Sequence, residues 1–497
     1  MNTVCHKRAG KWLAFFLVVV GFLLSPLLSA QQTTVSPLTT TSEQQRAAPG
    51  PTDPSMYDLL IIAPQKFVRA LHPLVVHKDR MGIRTRLVSL PQVYAQMFWH
   101  GRDKPEKIKY FIKTAKELWG ITYVMLVGDY ELMPVRYVYN ADNNTEWAEP
   151  RFISELYYAD LYDANGNFSS WDTNGNGIYG EWYGDVATDP NIDLYPDVYV
   201  GRLACMTEGE VRTMVHKIIT YETTAYGQEW FHRFVVAGGD TYPQSLNPNW
   251  TGNEGEKNNQ DAIDNMSGFT PVKLWTSDGS LTGPKDVIRA IDGGCGFLYF
   301  SGHANAYTWG THPTDDPNTW IHGLNTVLMD LLRNRQMLPV CVVGGCHNNE
   351  FDVSPKNIMK GIREEGLQYF SKNGSLPDLF YRDTWIRECW GWKLTRVSRG
   401  GSIATIGNTG LGMSKEDKQS FTGAGDYLEP TFFHEYGVNG TKILGRVWGN
   451  TITDYLKHYP IDWNTPAAKD YAIDAKTVQQ WALFGDPSLM IGGYGPL

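Results

Sequence analysis

Two stretches of this 497-residue chain end alike: FLYFSGH delivers His303 and PVCVVGGC delivers Cys346, each after an apolar run and glycine. A thiol and an imidazole are a working pair for acyl transfer. The thiolate is the nucleophile, and a neighbouring ring can take its proton and later hand one to a departing amine. Short apolar runs bounded by glycine read as buried strands, and in open parallel sheets functional groups gather beyond the carboxyl ends of the strands. If the two strands are neighbours, ring and sulfur face each other, and the backbone amides of Ala304 and Cys346 are the natural donors to a developing oxyanion. The competing reading of the same pattern is a structural His and Cys at strand ends. His347 adjoins the thiol, but neighbours on an extended chain point apart, so it ranks below His303 as the base.

Holding two such groups in place takes a scaffold, and the rest of the chain spells one. From Tyr57 onward apolar runs alternate with helical patterns: DLLIIAP, a helix from Phe67, RTRLVSL, a helix from Pro105, then YVMLVGD. Such alternation predicts an α/β fold, a mostly parallel sheet with helices on its faces. A Gly/Asn/Asp-rich insertion occupies about 140–195 before DVYVGRL resumes the pattern. A helix from Thr207 then leads to FVVAGGD, VKLWT, CGFLYFSGH, LPVCVVGGC and GGSIATIGNTG. The count predicts two consecutive α/β subdomains, 57–205 with roughly four strands and 206–497 with roughly six, the second holding both reactive groups.

Composition removes other classes. Hydrophobic residues make up 42% and charged residues 20%, ordinary for a globular chain, and a net charge of -9 without a long Lys/Arg run gives nucleic acid no footprint. Residues 1–30 read as a signal peptide: His6, Lys7, Arg8 and Lys11, an apolar run from Trp12 to Leu24, then SPLLSA ending in the small residue Ala30. The expectation is a secreted, extracellular or cell-surface protein, with membrane attachment only if that segment stays uncleaved. Residues 31–56 are a flexible Thr/Ser/Pro-rich linker. Removing the signal leaves cysteines 205, 295, 341, 346 and 389, an odd count that leaves at least one thiol unpaired; Cys295 and Cys341 read as buried small hydrophobes.

FSGHANAYTWGTH, LPVCVVGGCHNNEFD, PDVYVGRL and WALFGDPSLMI together resemble the corresponding segments of the gingipain-type cysteine peptidases. YDLLIIAPQKFV and GITYVMLVGD match in kind, so the likeness runs from about Tyr57 to about Ile491. The resemblance implies a caspase-like three-layer sandwich, a polypeptide substrate, His303 as catalytic histidine and Cys346 as nucleophile. It also places Asp197 where some members carry a glutamate that supports the histidine. Ala304 stands where the family usually has glycine, which keeps the amide and narrows the approach. The plain alternative for Asp197 is a carboxylate capping a turn at a strand start.

Further groups have two readings each. WDTNGNGIYGE sets Asp172, Asn174 and Asn176 on alternate positions before Gly177, with Glu181 following: either a structural calcium loop, as the resembling family has calcium sites, or an Asn-Gly turn. Glu210 either selects basic side chains or completes a capping box with Thr207. Trp309 and Trp320 flank the loop after His303 and can wall a substrate cleft, or pack in the core. No organic cofactor is called for. Hydrolysis through a thioester competes with two rivals: transpeptidation on the same dyad, and a calcium-stabilised binding module without turnover.

Overall fold

The apolar runs assemble into a ten-stranded sheet in the computed structural model, which describes residues 56–142, 149–246, 248, 250, 252–366, 384–417 and 420–496. The segments expected to be a signal peptide and, but for Met56, a linker lie outside these residues. The strands are β1 (Leu59–Ala63), β2 (Thr85–Ser89), β3 (Tyr123–Val127), β4 (Tyr199–Leu203), β5 (Arg233–Gly238), β6 (Thr270–Trp275), β7 (Phe297–Phe300), β8 (Val340–Val343), β9 (Ala404–Asn408) and β10 (Trp481–Phe484). Their order across the sheet is β6-β5-β7-β8-β9-β10-β4-β3-β1-β2. Four strands come from before residue 205 and six from after it.

Every neighbouring pair is parallel except β9 and β10. That one reversal matters for function. It turns β1–β4 and β10 against β5–β9, so β5–β9 finish at one edge of the sheet and β1–β4 and β10 at the other.

Both faces are covered, which is why the central strands lack polar alternation. Side chains on a strand point to opposite faces in turn. Val235, Ala237, Leu298, Phe300, Cys341 and Val343 form one core with Val287 and Ile291 of helix Pro284–Asp292 and Trp390 and Leu394 of helix Trp390–Arg396. The alternate residues face helix Gly425–Gly437, with the Phe433 ring 4.8 Å from Phe234 and 5.2 Å from Tyr299. The result is an α/β three-layer sandwich. The WALFGDPSLMI segment is structural: it supplies β10, and Asp486 pairs with fully buried Lys78 at 2.7 Å while Lys78 also meets Glu222 at 2.8 Å. Three distant segments are thereby locked through one ammonium.

The cysteines divide cleanly. Cys205, Cys295, Cys341 and Cys389 are buried and free of disulfides, and burial pushes each thiol above its ordinary value, Cys295 up to about 12. Cys346 alone among the described residues is a partly exposed thiol. Since reactivity follows thiolate content and access, brief alkylation of the folded protein is expected to modify Cys346 and spare the other four. Peptide mapping after iodoacetamide checks this; equal modification of Cys205 or Cys389 contradicts it.

Candidate active site

The sheet register brings the two sequence motifs together. β7 and β8 are parallel neighbours, with Phe300 opposite Val343, so Ser301–His303 and Gly344–Cys346 leave the sheet side by side. The Gly344 amide donates to the Phe300 carbonyl at 2.7 Å and carries the ladder one residue past the strands. Gly345 then turns at φ +100°. A Cβ there would lie 2.5 Å from the Ala304 nitrogen and 2.8 Å from the His303 carbonyl carbon. The GGC motif therefore runs directly against the His303–Ala304 peptide, and glycine is required by this contact as well as by φ.

His303 and Cys346 line a common cavity of about 40 Å³ with Thr241, Tyr242, Asn408 and Gly412. Cys346 is half-buried, its Sγ 4.0 Å from the Gly412 carbonyl. His303 lies on a short antiparallel sheet of His303–Ala304, Thr308–Thr311 and Ile321–Asn325. Its Nε2 is 2.8 Å from the Thr241 carbonyl, beyond the end of β5. A carbonyl can only accept, so Nε2 carries the hydrogen, and in the neutral ring Nδ1 is the basic nitrogen. Burial lowers the pKa of His303; the Thr241 carbonyl opposes that shift and His312 adds to it.

Two asparagines that sequence reasoning passed over hold the nucleophile loop. Asn348 Nδ2 donates to the carbonyls of Val343, Gly344 and Gly345 at 3.2, 3.3 and 3.3 Å, while its Oδ1 accepts from the Asn408 amide at 2.9 Å. Asn408 Nδ2 donates to the Gly345 carbonyl at 2.8 Å. The signal for Asn408 was present: IATIGNTG is a third apolar run ending in glycine, and β9 is the neighbour of β8.

Beneath the loop sit two carboxyl groups, Asp426 and Glu429, on the first turns of helix Gly425–Gly437, both lining the same cavity. Tyr299 donates to Glu429 at 2.8 Å and Asn258 to Asp426 at 2.6 Å. Burial pushes Glu429 well above the usual carboxylate range, reinforced by Asp426, and burial pushes Asp426 up to about 6. The upward shift favours the neutral form of Glu429, which lessens negative charge in the cavity that a Cys346 thiolate would share.

The other sequence candidates fall elsewhere. Asp197 precedes β4, at the same sheet edge but four strands from β7, roughly 19 Å at about 4.8 Å per strand. Its carboxylate accepts from the Leu161 and Tyr162 amides at 2.7 and 3.0 Å, so it caps a turn; the group that orients His303 is the Thr241 carbonyl. His347 turns away at φ +55°, its ring between Glu149 and Glu350 at 3.2 and 2.9 Å, which rules it out as the base facing the cavity. Glu210 accepts from the Met206 amide at 2.7 Å while Thr207 caps its own nitrogen, so the helix-start reading holds.

Trp309 is fully buried against Phe300, ring centroids 4.9 Å apart, and is core rather than cleft wall. Trp320 is 47% exposed with its ring 5.4 Å from His303. Trp309→Ala is accordingly expected to cost about 3–5 kcal/mol of stability. Trp320→Ala should leave stability within about 0.5 kcal/mol and raise KM instead. Denaturant unfolding and peptide kinetics on the two variants check the contrast.

The polar loop does not fit calcium as folded. Asp172 is taken by the Arg102 guanidinium and by the Asn176 and Gly177 amides, and Asn176 Nδ2 donates to Glu181 at 2.7 Å. Asn174 accepts from the Asn176 amide at 2.9 Å. Among the described residues no group of three or more His, Cys, Asp or Glu is arranged to hold a metal.

A thiol and an imidazole at the ends of neighbouring strands in a three-layer α/β sandwich are an arrangement suited to a cysteine peptidase. The chain belongs to Peptidase family C25, whose family model matches residues 52–492. It is 21% identical over 440 residues to gingipain R2 and to gingipain R1 of Porphyromonas gingivalis, covering 87% of this chain and 46% and 34% of those relatives. The chain thus spans less than half the length of these curated relatives. Among solved structures it is similar to the complex of Porphyromonas gingivalis RgpB pro- and mature domains (TM-score 0.56, 19% identity, 87% of this chain and 79% of that one). It is equally similar to the Arg-specific cysteine proteinase gingipain R (TM-score 0.56, 18% identity, 89% and 79%). These likenesses show the shared caspase-like fold.

Proposed function

We propose that the protein is a secreted cysteine endopeptidase that hydrolyses peptide bonds through a thioester on Cys346. The observation that carries this reading is the shared cavity in which Cys346 meets a His303 whose Nε2 is pinned by the Thr241 carbonyl. With Nε2 protonated, Nδ1 accepts the thiol proton. The thiolate attacks the carbonyl carbon, and the Ala304 and Cys346 amides take the charge that develops on its oxygen. His303 gives its proton to the amine as the C–N bond breaks. Water, deprotonated by the same ring, then opens the thioester.

His303 must be neutral to begin the cycle. Because burial holds its pKa down, protonation that silences it sets in at lower pH than for a free imidazole. The acid limb of kcat/KM is therefore expected to have its midpoint below the ordinary 6.5; a midpoint above that value contradicts the assignment.

The reading is tested by incubating the chain with a peptide library, with and without an added amine, and weighing the products. Hydrolysis yields free carboxyl termini in both. Amine adducts as the main product identify the transpeptidase alternative, and intact peptides identify a binding module.

A further inference from the structure

At the opposite end of β8 and β9 from the thiol lies a second cleft, of about 450 Å³, within the roughly 300–1,000 Å³ of small-ligand pockets. Its walls come from three places far apart in sequence: helix Glu208–Thr224, the loop before β8 and the loop before β9. It holds Lys217, His216, Arg333, Arg335, Arg399 and the Ser398 hydroxyl, and no acidic side chain lines it.

That charge pattern runs against the rest of the molecule. The chain has 53 acidic and 44 basic residues, and several of its buried or half-buried cations find carboxylates: Arg136 with Asp103, Arg202 with Glu155, Arg396 with Glu388. Among the described residues, no carboxylate pairs with the ammonium of Lys217 or the guanidinium groups of Arg333, Arg335 and Arg399; the Asp292 carboxylate accepts from the Arg333 main-chain amide at 2.6 Å, and the Arg333 guanidinium donates to the Asp330 and Leu332 carbonyls at 2.7 Å.

The loops that carry the arginines are braced, and Lys217 is fixed beneath them. Asn334, fully buried, fastens the two arginine-bearing loops together: its Nδ2 donates to the Met337 and Gly401 carbonyls at 2.9 and 2.8 Å, and its Oδ1 accepts from the Gly401 amide at 2.8 Å. The Arg335 amide donates to the Arg399 carbonyl at 3.0 Å, and Arg335 sits at φ +53°, a conformation that costs a non-glycine residue energy. Lys217 is fixed at the floor by three carbonyls, those of Thr395, Val397 and Gly400. Burial lowers the pKa of Lys217 to about 7, so the three exposed arginines carry most of the positive charge, and an anion seated among them offsets their mutual repulsion.

We propose that this cleft is a binding site for a phosphate-bearing ligand, seated on the guanidinium groups of Arg333, Arg335 and Arg399 over Lys217. Guanidinium forks match phosphate oxygens in pairs, and a phosphate monoester carries about -1.5 to -2 charges, closer to what three arginines ask than a single carboxylate. The site is separate from the thiol, since Val340 to Cys346 spans roughly 20 Å of extended chain.

The test titrates the folded chain with inorganic phosphate by calorimetry, against sodium chloride at matched ionic strength. Arg335→Gln and Arg399→Gln are run singly and together, with Arg289→Gln, 81% exposed and outside the cleft, as control. Both cleft arginines are exposed, so the variants keep the fold. Saturable binding is expected for wild type and control, weakened at least about tenfold by each cleft substitution. Co-sedimentation with phosphatidylcholine vesicles, with and without phosphatidic acid, locates the source. Capture by the acidic vesicles that the double variant loses marks a lipid headgroup, whereas phosphate binding without capture marks a soluble ligand. Phosphate indistinguishable from chloride, or a double variant that binds it like wild type, overturns the proposal.

Discussion

Replacing Cys346 with alanine is expected to leave the fold intact and to lower peptide hydrolysis by roughly 10⁴–10⁶-fold, the loss typical of removing a nucleophile from an acyl-transfer site. The fold is spared because the side chain is half-buried and packs only at the margin of a small cluster around Leu411 and Met413. Chemistry is lost because nothing replaces the sulfur: the other cysteines among the described residues are sealed in the core, and no other thiol shares the cavity with His303 at the end of β8. The amides of Ala304 and Cys346 persist in the variant, so weak residual turnover and normal peptide binding should remain. Steady-state kinetics together with a melting curve separate loss of chemistry from loss of fold.

Gly345→Ala is expected to have the next largest effect, by a different route. The new methyl would meet the Ala304 nitrogen, the His303 carbonyl carbon and the Ala304 Cβ at 2.5, 2.8 and 2.9 Å, and two of those three are backbone atoms that cannot swing aside. The φ of +100° adds strain of its own. Either the GGC turn or the His303 strand must shift, and both carry catalytic atoms. A displacement near 1 Å costs on the order of 100-fold in rate, so kcat/KM should fall by about that factor or more. The core beneath, with Val343 and Phe300 fully buried, should keep the chain folded. A Gly345→Ala enzyme with wild-type kcat/KM and an unchanged Tm contradicts the close approach described for these loops.

Much of this was legible in the chain itself. Apolar runs closed by glycine announced β7 and β8, and the helical stretches between runs announced a layered α/β fold, because both signals are local and periodic. The pairing of β7 with β8 was readable only as a condition, since which strands are neighbours depends on the whole topology. The antiparallel β10 was not readable at all: WALF has the same apolar character whichever way it enters the sheet. Asp197 shows the cost of such blindness, for it lies at the right edge of the sheet and on the wrong strand. Trp309 and Trp320 are eleven positions apart in one loop region, yet one is sealed against Phe300 and the other faces His303; side-chain facing in a short irregular sheet follows a bulge between Trp309 and Gly310 that no periodicity marks. Thr241 acts through its backbone carbonyl, a group every residue has, so its role leaves no trace in residue type. The arginine cleft escaped for a related reason: Lys217, Arg335 and Arg399 belong to three segments, and none forms a basic run.

In the proposed mechanism Cys346 is made nucleophilic by His303 at the shared end of β7 and β8. The most direct measurement is covalent capture with a mixture of peptidyl acyloxymethyl ketones, read by intact mass and tandem sequencing on the wild-type chain and on His303→Ala. A single adduct on Cys346, formed rapidly in the wild type and at least about 100-fold more slowly without the imidazole, is the predicted result. Capture at Cys346 that proceeds equally fast in His303→Ala, or no capture there at all, contradicts it.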